Sequence, residues 1–248
     1  MIIVYGTRMY GRIDRCGPTF LGTRFFHIWY VPLIPVGTHL VFNEEDDGFR
    51  GLPTGLSGRS VLAAYMRVWG VVGSILAVIA LIGGISDAAR TDDLGVMIVS
   101  ALVYGFGALL ALGFTLAGFL FIGKLSTEDK QRRAIYAQYT GTYADPADLG
   151  DARMEIRQQI LGAFAHRAQG LASSSYRLPA DAANQWANIA VDPGVHDTDL
   201  VMQGLTLARI DESLAQGPYK SQMQVLHRAL WDKVRRLQPG VLQMAAQL

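Results

Sequence analysis

Residues 68–85, VWGVVGSILAVIALIGGI, and residues 94–123, LGVMIVSALVYGFGALLALGFTLAGFLFIG, contain no Asp, Glu, Lys, Arg or His. At ~1.5 Å of rise per helical residue they reach ~27 Å and ~45 Å, against a hydrocarbon core of ~30 Å. Each is long enough to span a bilayer, and the second has length to spare, so it tilts or continues past the lipid. The intervening residues 86–93 carry Asp87, Arg90, Asp92 and Asp93. Those side chains are costly in hydrocarbon, so the pair reads as a helical hairpin and not as one interrupted span. The predicted architecture is an α plus small-β membrane protein: a β-rich module over 1–60, a transmembrane hairpin over 61–123 and a cytoplasmic helical domain over 124–248.

Composition and charge agree with this division. The 248 residues are 50% hydrophobic and 17% charged, more apolar than a typical soluble chain. A net charge of +1 supplies no basic field for nucleic acid. Cys16, the sole cysteine, excludes an internal disulfide. Residues 1–10 lack the charged start, apolar core and small-residue cleavage site of a signal peptide, so insertion is expected to rely on the hairpin. Arg50, Arg59 and Arg67 precede the first span, Lys124, Lys130, Arg132 and Arg133 follow the second, and the loop has Arg90 alone. Because Lys and Arg are retained on the cytoplasmic side, both termini are expected there, in a bacterial inner membrane. Arg67 is expected to extend its aliphatic stem to interfacial phosphates. Lys124, Lys130, Arg132 and Arg133 are expected to lie at the same interface and meet anionic lipid.

Small residues recur four apart in the spans: Gly70 with Ser74, Gly73 with Ala77, Ala101 with Gly105, Gly107 with Ala111 and Gly113 with Ala117. Small side chains let helix backbones approach closely, the main source of association in lipid. Gly70, Gly73, Gly105, Gly107 and Gly113 are therefore the candidate packing positions. The hairpin packing on itself is the simpler expectation, and a homo-oligomer is the alternative.

In the first module Gly6, Gly11, Gly17 with Pro18, Gly22 and Gly37 punctuate a β-rich stretch, which predicts three or four short strands. Pro32 and Pro35 mark an edge or a link between strands, since proline cannot donate to a ladder. Trp29, Tyr30 and the neighbouring Phe residues read either as this module's core or as headgroup-level aromatics. A core this small is marginal and calls for support from the membrane, the C-terminal region or another subunit.

The run Tyr5-Gly6-Thr7-Arg8, then Gly11-Arg12-Ile13-Asp14, Cys16, and residues 25–38, FFHIWYVPLIPVGT, resembles the start of a group of small bacterial zinc-ribbon-like, membrane-associated proteins. In that group an aromatic strand and a Pro-hydrophobic-hydrophobic-Pro link lie between two cysteine pairs. The resemblance implies a ribbon-derived fold and little about activity. This chain departs from the pattern: Cys16 stands alone, and Asn43-Glu44-Glu45-Asp46-Asp47 follows where the second cysteine pair would be. A structural zinc site takes four ligands, and Cys16, His27 and His39 supply three without paired spacing, so a metal-free descendant is expected, with no cofactor. Glu44 to Asp47 reads as a solvated acidic turn.

After the second span the pattern turns to helices with clear stops. Ser126 with Asp129 starts one that runs to about Tyr139 and ends at Gly141. Asp145-Pro146 opens the next, which Asp151 to Gln169 continue with Met154, Ile160, Leu161, Phe164 and Ala168 on one side, and Gly170 closes. Ser173 to Ser175 reads as a linker. A third helix covers 179–190, ended by Asp192-Pro193-Gly194. Asp197 caps a fourth with Val201, Leu205, Ala208 and Leu214 on its apolar face, stopped by Gly217-Pro218. The fifth, 219–237, lines up Tyr219, Met223, Leu226, Leu230, Trp231, Val234 and Leu237, with Arg235 and Arg236 in its last turn. A helical bundle is the expected result.

No catalytic pattern stands out. His166, His196 and His227 are scattered, and no His-Glu-x-x-His, phosphate-binding glycine loop or nucleophile elbow occurs. His196-Asp197-x-Asp199 is explained by helix capping. The leading expectation is a non-enzymatic membrane anchor or adapter whose partners are the lipid bilayer and another protein. The alternatives are an oligomeric pore or transporter component, with Ser100, Tyr104 and Thr115 as polar contacts, and a metal-binding regulator using Cys16, His27 and His39.

Overall fold

The computed structural model describes residues 4–45, 48–90, 93–172 and 184–239. The chain divides into two compact units. One comprises Met1–Arg15, Phe20–Val41 and Pro53–Lys124, the other Cys16–Thr19, Phe42–Leu52 and Leu125–Leu248. Ile2, Ile3, Asp46, Asp47, Asp92, Ser173 to Ser175 and the start of the expected third helix, 179–183, lie outside the described residues.

Strands β1 (Tyr5–Cys16), β2 (Thr19–Ile28), β3 (Val31–Glu45) and β4 (Gly48–Thr54) form one sheet in sequential order. Three of them are longer than the glycine punctuation predicts, because Gly11, Gly22 and Gly37 lie inside strands and not at turns. Gly11 has φ +61°, and a Cβ there would lie 1.9 Å from the carbonyl oxygen of Ser60. This glycine is thus fixed by close backbone approach. Pro32 and Pro35 sit within β3, opposite His27 and Phe25, where the β2–β3 register shifts twice. Irregular pairing accommodates the missing amide donors.

Helix α1 (Gly58–Ala89) closes the first unit. Its first turns bury Ser60, Ala63, Ala64 and Met66 in the core that holds Ile13, Phe20, Phe25, Leu40 and Val41. A chain of hydroxyls crosses this core. Ser57 N donates to Thr38 Oγ1 (3.0 Å), Thr38 and Thr23 share a hydrogen bond (2.8 Å), Thr23 donates to Ser60 (2.8 Å), and Ser60 donates to the Gly11 carbonyl (2.7 Å). Each buried hydroxyl is paired, so the seam costs little and fixes the register of helix against sheet. The helix crosses the expected module boundary at residue 60 without a break.

Beyond the sheet α1 continues as the first apolar helix and α2 (Leu94–Leu120) returns as the second. Both are long and apolar enough to cross a membrane, and only 6% and 0% of their most apolar 18-residue windows are buried. The core helix of a soluble protein would be mostly buried. The loop is shorter than the expected 86–93: α1 runs on to Ala89, and Asp93 caps α2 by accepting from Gly95 N (2.8 Å) and Val96 N (3.3 Å). Charged residues at an exposed helix end carry no desolvation penalty, so Asp87 does not terminate α1.

The second unit contains α3 (Thr127–Thr140), a 3₁₀ turn (Pro146–Asp148), α4 (Ala152–Ala172), α5 (Trp186–Val191), α6 (Thr198–Leu214) and α7 (Gly217–Leu237). Ser126 and the left-handed Gly141 cap α3 as expected. Asp145-Pro146, however, opens only the 3₁₀ turn; Leu149 and Gly150 (φ +57°) separate it from α4, which runs through Gly170. Gly217-Pro218 starts α7 instead of stopping α6, since proline tolerates the first helical turn. Helix α6 is buried almost all round from Leu200 to Ala208 and packs against every other element of this unit. Met154, Leu214 and Tyr219, assigned to apolar faces from spacing, are exposed.

Candidate functional site

The base of the hairpin concentrates the polar contacts of the first unit. Arg67, one residue before the uncharged run, donates from Nε to the Gly118 carbonyl (2.9 Å), from Nη2 to that of Ile122 (2.8 Å) and from Nη1 to that of Arg12 (2.8 Å). Its guanidinium lies 5.6 Å from the Phe119 ring centroid. Arg67 thereby joins α1, the end of α2 and β1. Gly118 lies in the last turn of α2, whose carbonyls lack intrahelical donors, so a cation there satisfies an orphan acceptor and complements the helix dipole. Alongside, Asp14 N donates to the Gly123 carbonyl (2.8 Å), and Gly123 (φ +80°) leaves no room for a side chain against Ile13. Entry to and exit from the hairpin therefore meet at one end.

Close approach within the hairpin falls on three glycines. A Cβ at Gly70 would lie 2.6 Å from Thr115 Oγ1, one at Gly84 2.2 Å from the Tyr104 ring, and one at Gly118 2.8 Å from Met66 Cβ. Gly70 was singled out from spacing, whereas Gly84 and Gly118 were not. Gly73, Gly105, Gly107 and Gly113 have nothing within 4 Å of an added Cβ, so no neighbour demands glycine at these four. The polar groups expected to line a pore turn partly inward: Thr115 is buried, donates to the Ala111 carbonyl (2.8 Å) and shares a hydrogen bond with Ser74 (3.0 Å).

Among the described residues no three or more His, Cys, Asp or Glu side chains converge as a metal site. His39 pairs with Gly22 and His27 with Pro32 in the β2–β3 register, so the two lie five residues apart along β2, roughly 17 Å. His27 is buried, stacked on Tyr30 at 5.7 Å between ring centroids. Burial pushes the His39 imidazole below its ordinary pKa, aided by the charge of Arg24. Cys16 is fully buried in the second unit, and that burial pushes its thiol up against the opposing charges of Arg133 and Lys130. A raised thiol is a poor nucleophile.

The basic residues assigned to the lipid interface divide in two. Lys124 is exposed and Lys130 half-buried. Arg133 is buried, while Arg132 pairs with Glu128 and lies 5.0 Å from the Trp231 ring centroid. Both arginines thus take part in the packing of the helical unit.

That unit holds a second polar cluster. Asp145 accepts a bidentate pair from Arg209 (2.8 and 2.7 Å); Arg209 also meets Glu212 (3.0 Å); His227 Nδ1 lies 3.8 Å from Glu212, and Nε2 lies 2.7 Å from the Tyr136 hydroxyl. Burial, with the charges of Arg132 and Arg209, pushes His227 down to about 4. The imidazole is therefore neutral at pH 7, its Nε2 accepts from Tyr136, and its Nδ1–H faces Glu212. Burial opposes ionisation of Asp145, but the bonds and charge of Arg209 prevail and hold it below the usual carboxylate range. Burial, with the charges of Asp145 and Glu212, drives Tyr136 far above an ordinary phenol. The Tyr136 hydroxyl of this acid–His–Tyr arrangement belongs to a side chain only 2% exposed. The cluster ties α3, α6 and α7 together. Sequence reasoning missed it because its members are 91 residues apart at their widest hydrogen bond. Asp197 and Asp199 are likewise occupied: Arg167 holds both (2.7 and 3.0 Å), and Asp197 caps α6 through Leu200 N (2.8 Å).

Comparison of the chain with protein-family models, with curated proteins and with solved structures finds no match.

Proposed function

We propose that this chain is a non-enzymatic membrane anchor that carries a β module and a helical module on one side of a bilayer, for interaction with another protein. The observation that carries this reading is the closed base of the hairpin. Because Arg67 and Gly118 are bonded, and Asp14 is bonded to Gly123, the chain enters and leaves the apolar helices at the same end. The large side chains facing outward along both helices, among them Ile79, Ile82, Leu102 and Leu109, form a surface that water does not tolerate at this extent. The excess of Lys and Arg at that end, against Arg90 at the other, favours the cytoplasmic face of a bacterial inner membrane. In this reading the ribbon-like N-terminal module acts as a metal-free scaffold. The polar clusters, whose members are bonded to one another and to backbone, serve packing and not chemistry.

The test is crosslinking of the full chain, tagged at either end, in right-side-out and inverted membrane vesicles with a membrane-impermeant amine reagent. Both tags and Lys220 reacting only in inverted vesicles, with recurrent links to one partner protein, is the expected result. Tags reacting from opposite faces would overturn the topology. Links confined to copies of the chain, with a discrete native mass, would overturn the adapter role.

A further inference from the structure

The β2–β3 turn presents an uncharged apolar tip that is only partly packed: the Tyr30 ring stacks on His27 at 5.7 Å, yet the turn stays largely open. Ile28, Trp29, Tyr30, Ile34 and Val36 are 38%, 50%, 55%, 61% and 61% exposed, and residues 25–42 contain no Asp, Glu, Lys or Arg. Trp29 and Tyr30 also occupy left-handed backbone, with φ +51° and +63°. A two-residue turn of this kind favours Asn-Gly, and two bulky aromatics are unfavourable there. Two bulky aromatics held in left-handed backbone and left half exposed point to a use outside the fold.

Three hydrogen bonds fix where the tip lies. Ser57 N donates to Thr38 Oγ1 (3.0 Å), Tyr65 Oη to the Leu33 carbonyl (2.7 Å) and Trp69 Nε1 to the Pro32 carbonyl (3.2 Å). Residue number falls along β3 as it rises along α1, so the two run side by side in opposite directions. Trp69 is the second residue of the uncharged run, and the tip lies up to three strand residues further on, roughly 10 Å deeper along α1. Exposed Arg8 stands over the Tyr30 ring at 5.7 Å, a cation at the rim of an apolar wedge.

We propose that the β2–β3 tip is a membrane-dipping wedge, with Ile28, Trp29 and Tyr30 seated in the headgroup and upper acyl region of the leaflet that α1 enters. The occupant is lipid because the tip continues the apolar surface of the hairpin at the same depth, and aromatic side chains favour that layer. The inference rests on the hairpin crossing the membrane.

It is tested with single cysteines, Ile28→Cys, Trp29→Cys and Leu109→Cys, in a Cys16→Ala background. Each protein carries an environment-sensitive fluorophore and is reconstituted in phosphatidylcholine–phosphatidylglycerol vesicles. Doxyl lipid with the label near the headgroup should quench the Ile28 and Trp29 probes about twofold while aqueous iodide leaves them nearly unchanged. Deep-labelled doxyl lipid should quench the Leu109 probe. Iodide quenching of both tip probes with Leu109 still in lipid would overturn the wedge and leave the hairpin reading standing. Iodide quenching of all three would overturn both. Tip probes shielded from iodide yet untouched by either doxyl lipid would put a second copy of the chain on the tip, and the lipid assignment would fall.

Discussion

Arg67 is the residue whose replacement should separate the hairpin from its base. Its three hydrogen bonds go to backbone carbonyls, and a bond with one charged partner contributes about 1.5–3 kcal/mol when well shielded. Arg67 is half-buried, so water recovers part of each bond, and about 1 kcal/mol apiece is the appropriate scale. The favourable cation at the end of α2 adds up to about 1 kcal/mol. Arg67→Met keeps the aliphatic stem against Phe119 and removes every donor, so it should cost about 3–4 kcal/mol. Arg67→Lys keeps the charge, but an ammonium is a point donor that cannot reach three carbonyls arrayed around a planar fork. It should recover less than half of that loss. The assay is denaturant unfolding of the full chain in mild detergent, with limited proteolysis at the α2–α3 junction, 121–126, as a second reading. If Arg67 served only as a cation for lipid phosphate, Lys would restore it fully. That outcome, or an unfolding midpoint unchanged in Arg67→Met, would refute the carbonyl staple.

Two further outcomes follow from packing and charge. Gly70→Val and Gly118→Val should each lower thermal stability in detergent by about 1–3 kcal/mol, because the new side chain meets Thr115 or Met66 below contact distance, whereas Gly107→Val and Gly113→Val should leave the hairpin unchanged; equal losses at all four sites would remove the glycine seam. His227 is held neutral by burial, down to about 4, so the unfolded chain binds more protons between pH 6.5 and 4. The stability it contributes is complete above pH 6.5 and is lost as the pH falls toward 4, by up to about 3 kcal/mol. Stability curves of wild type and His227→Gln should therefore converge on acidification, and parallel curves across that range would contradict the assignment.

The hairpin was legible because a run of 18 or 30 residues without a charge is a one-dimensional property, and the hydrocarbon thickness converts it directly to a span. Caps were legible for a similar reason: Ser126, Gly141 and Asp197 act on backbone within three residues of themselves. What failed depended on orientation or on distant partners. Spacing alone did not say which glycines face inward: Gly113 lies about 140° round α2 from Gly118, and small residues recur on either face. The partners of Arg67 are carbonyls, which every residue possesses, so no side-chain code announces them. Asp145-Pro146 reads the same before a 3₁₀ turn as before a long helix; Gly150, in left-handed backbone, makes the difference.

The same logic relocates the boundary of the N-terminal module. A sheet ending near residue 60 needs support beyond itself. Cys16–Thr19 and Phe42–Leu52 belong to the same compact unit as Leu125–Leu248, while the first three turns of α1 supply Ser60, Ala63, Ala64 and Met66 to the core of the other, where Gly11 is bare because the Ser60 carbonyl occupies the space of its side chain. Since α1 then continues into the uncharged run without a break, one helix has both the sheet and the apolar hairpin as its packing partners. A helix of this kind gains little stability from propensity in isolation and much from packing. The sheet therefore completes its core only when the start of α1 is helical, and placing α1 in its apolar surroundings favours that state. Folding of the β module and placement of the hairpin are coupled through the same four buried residues.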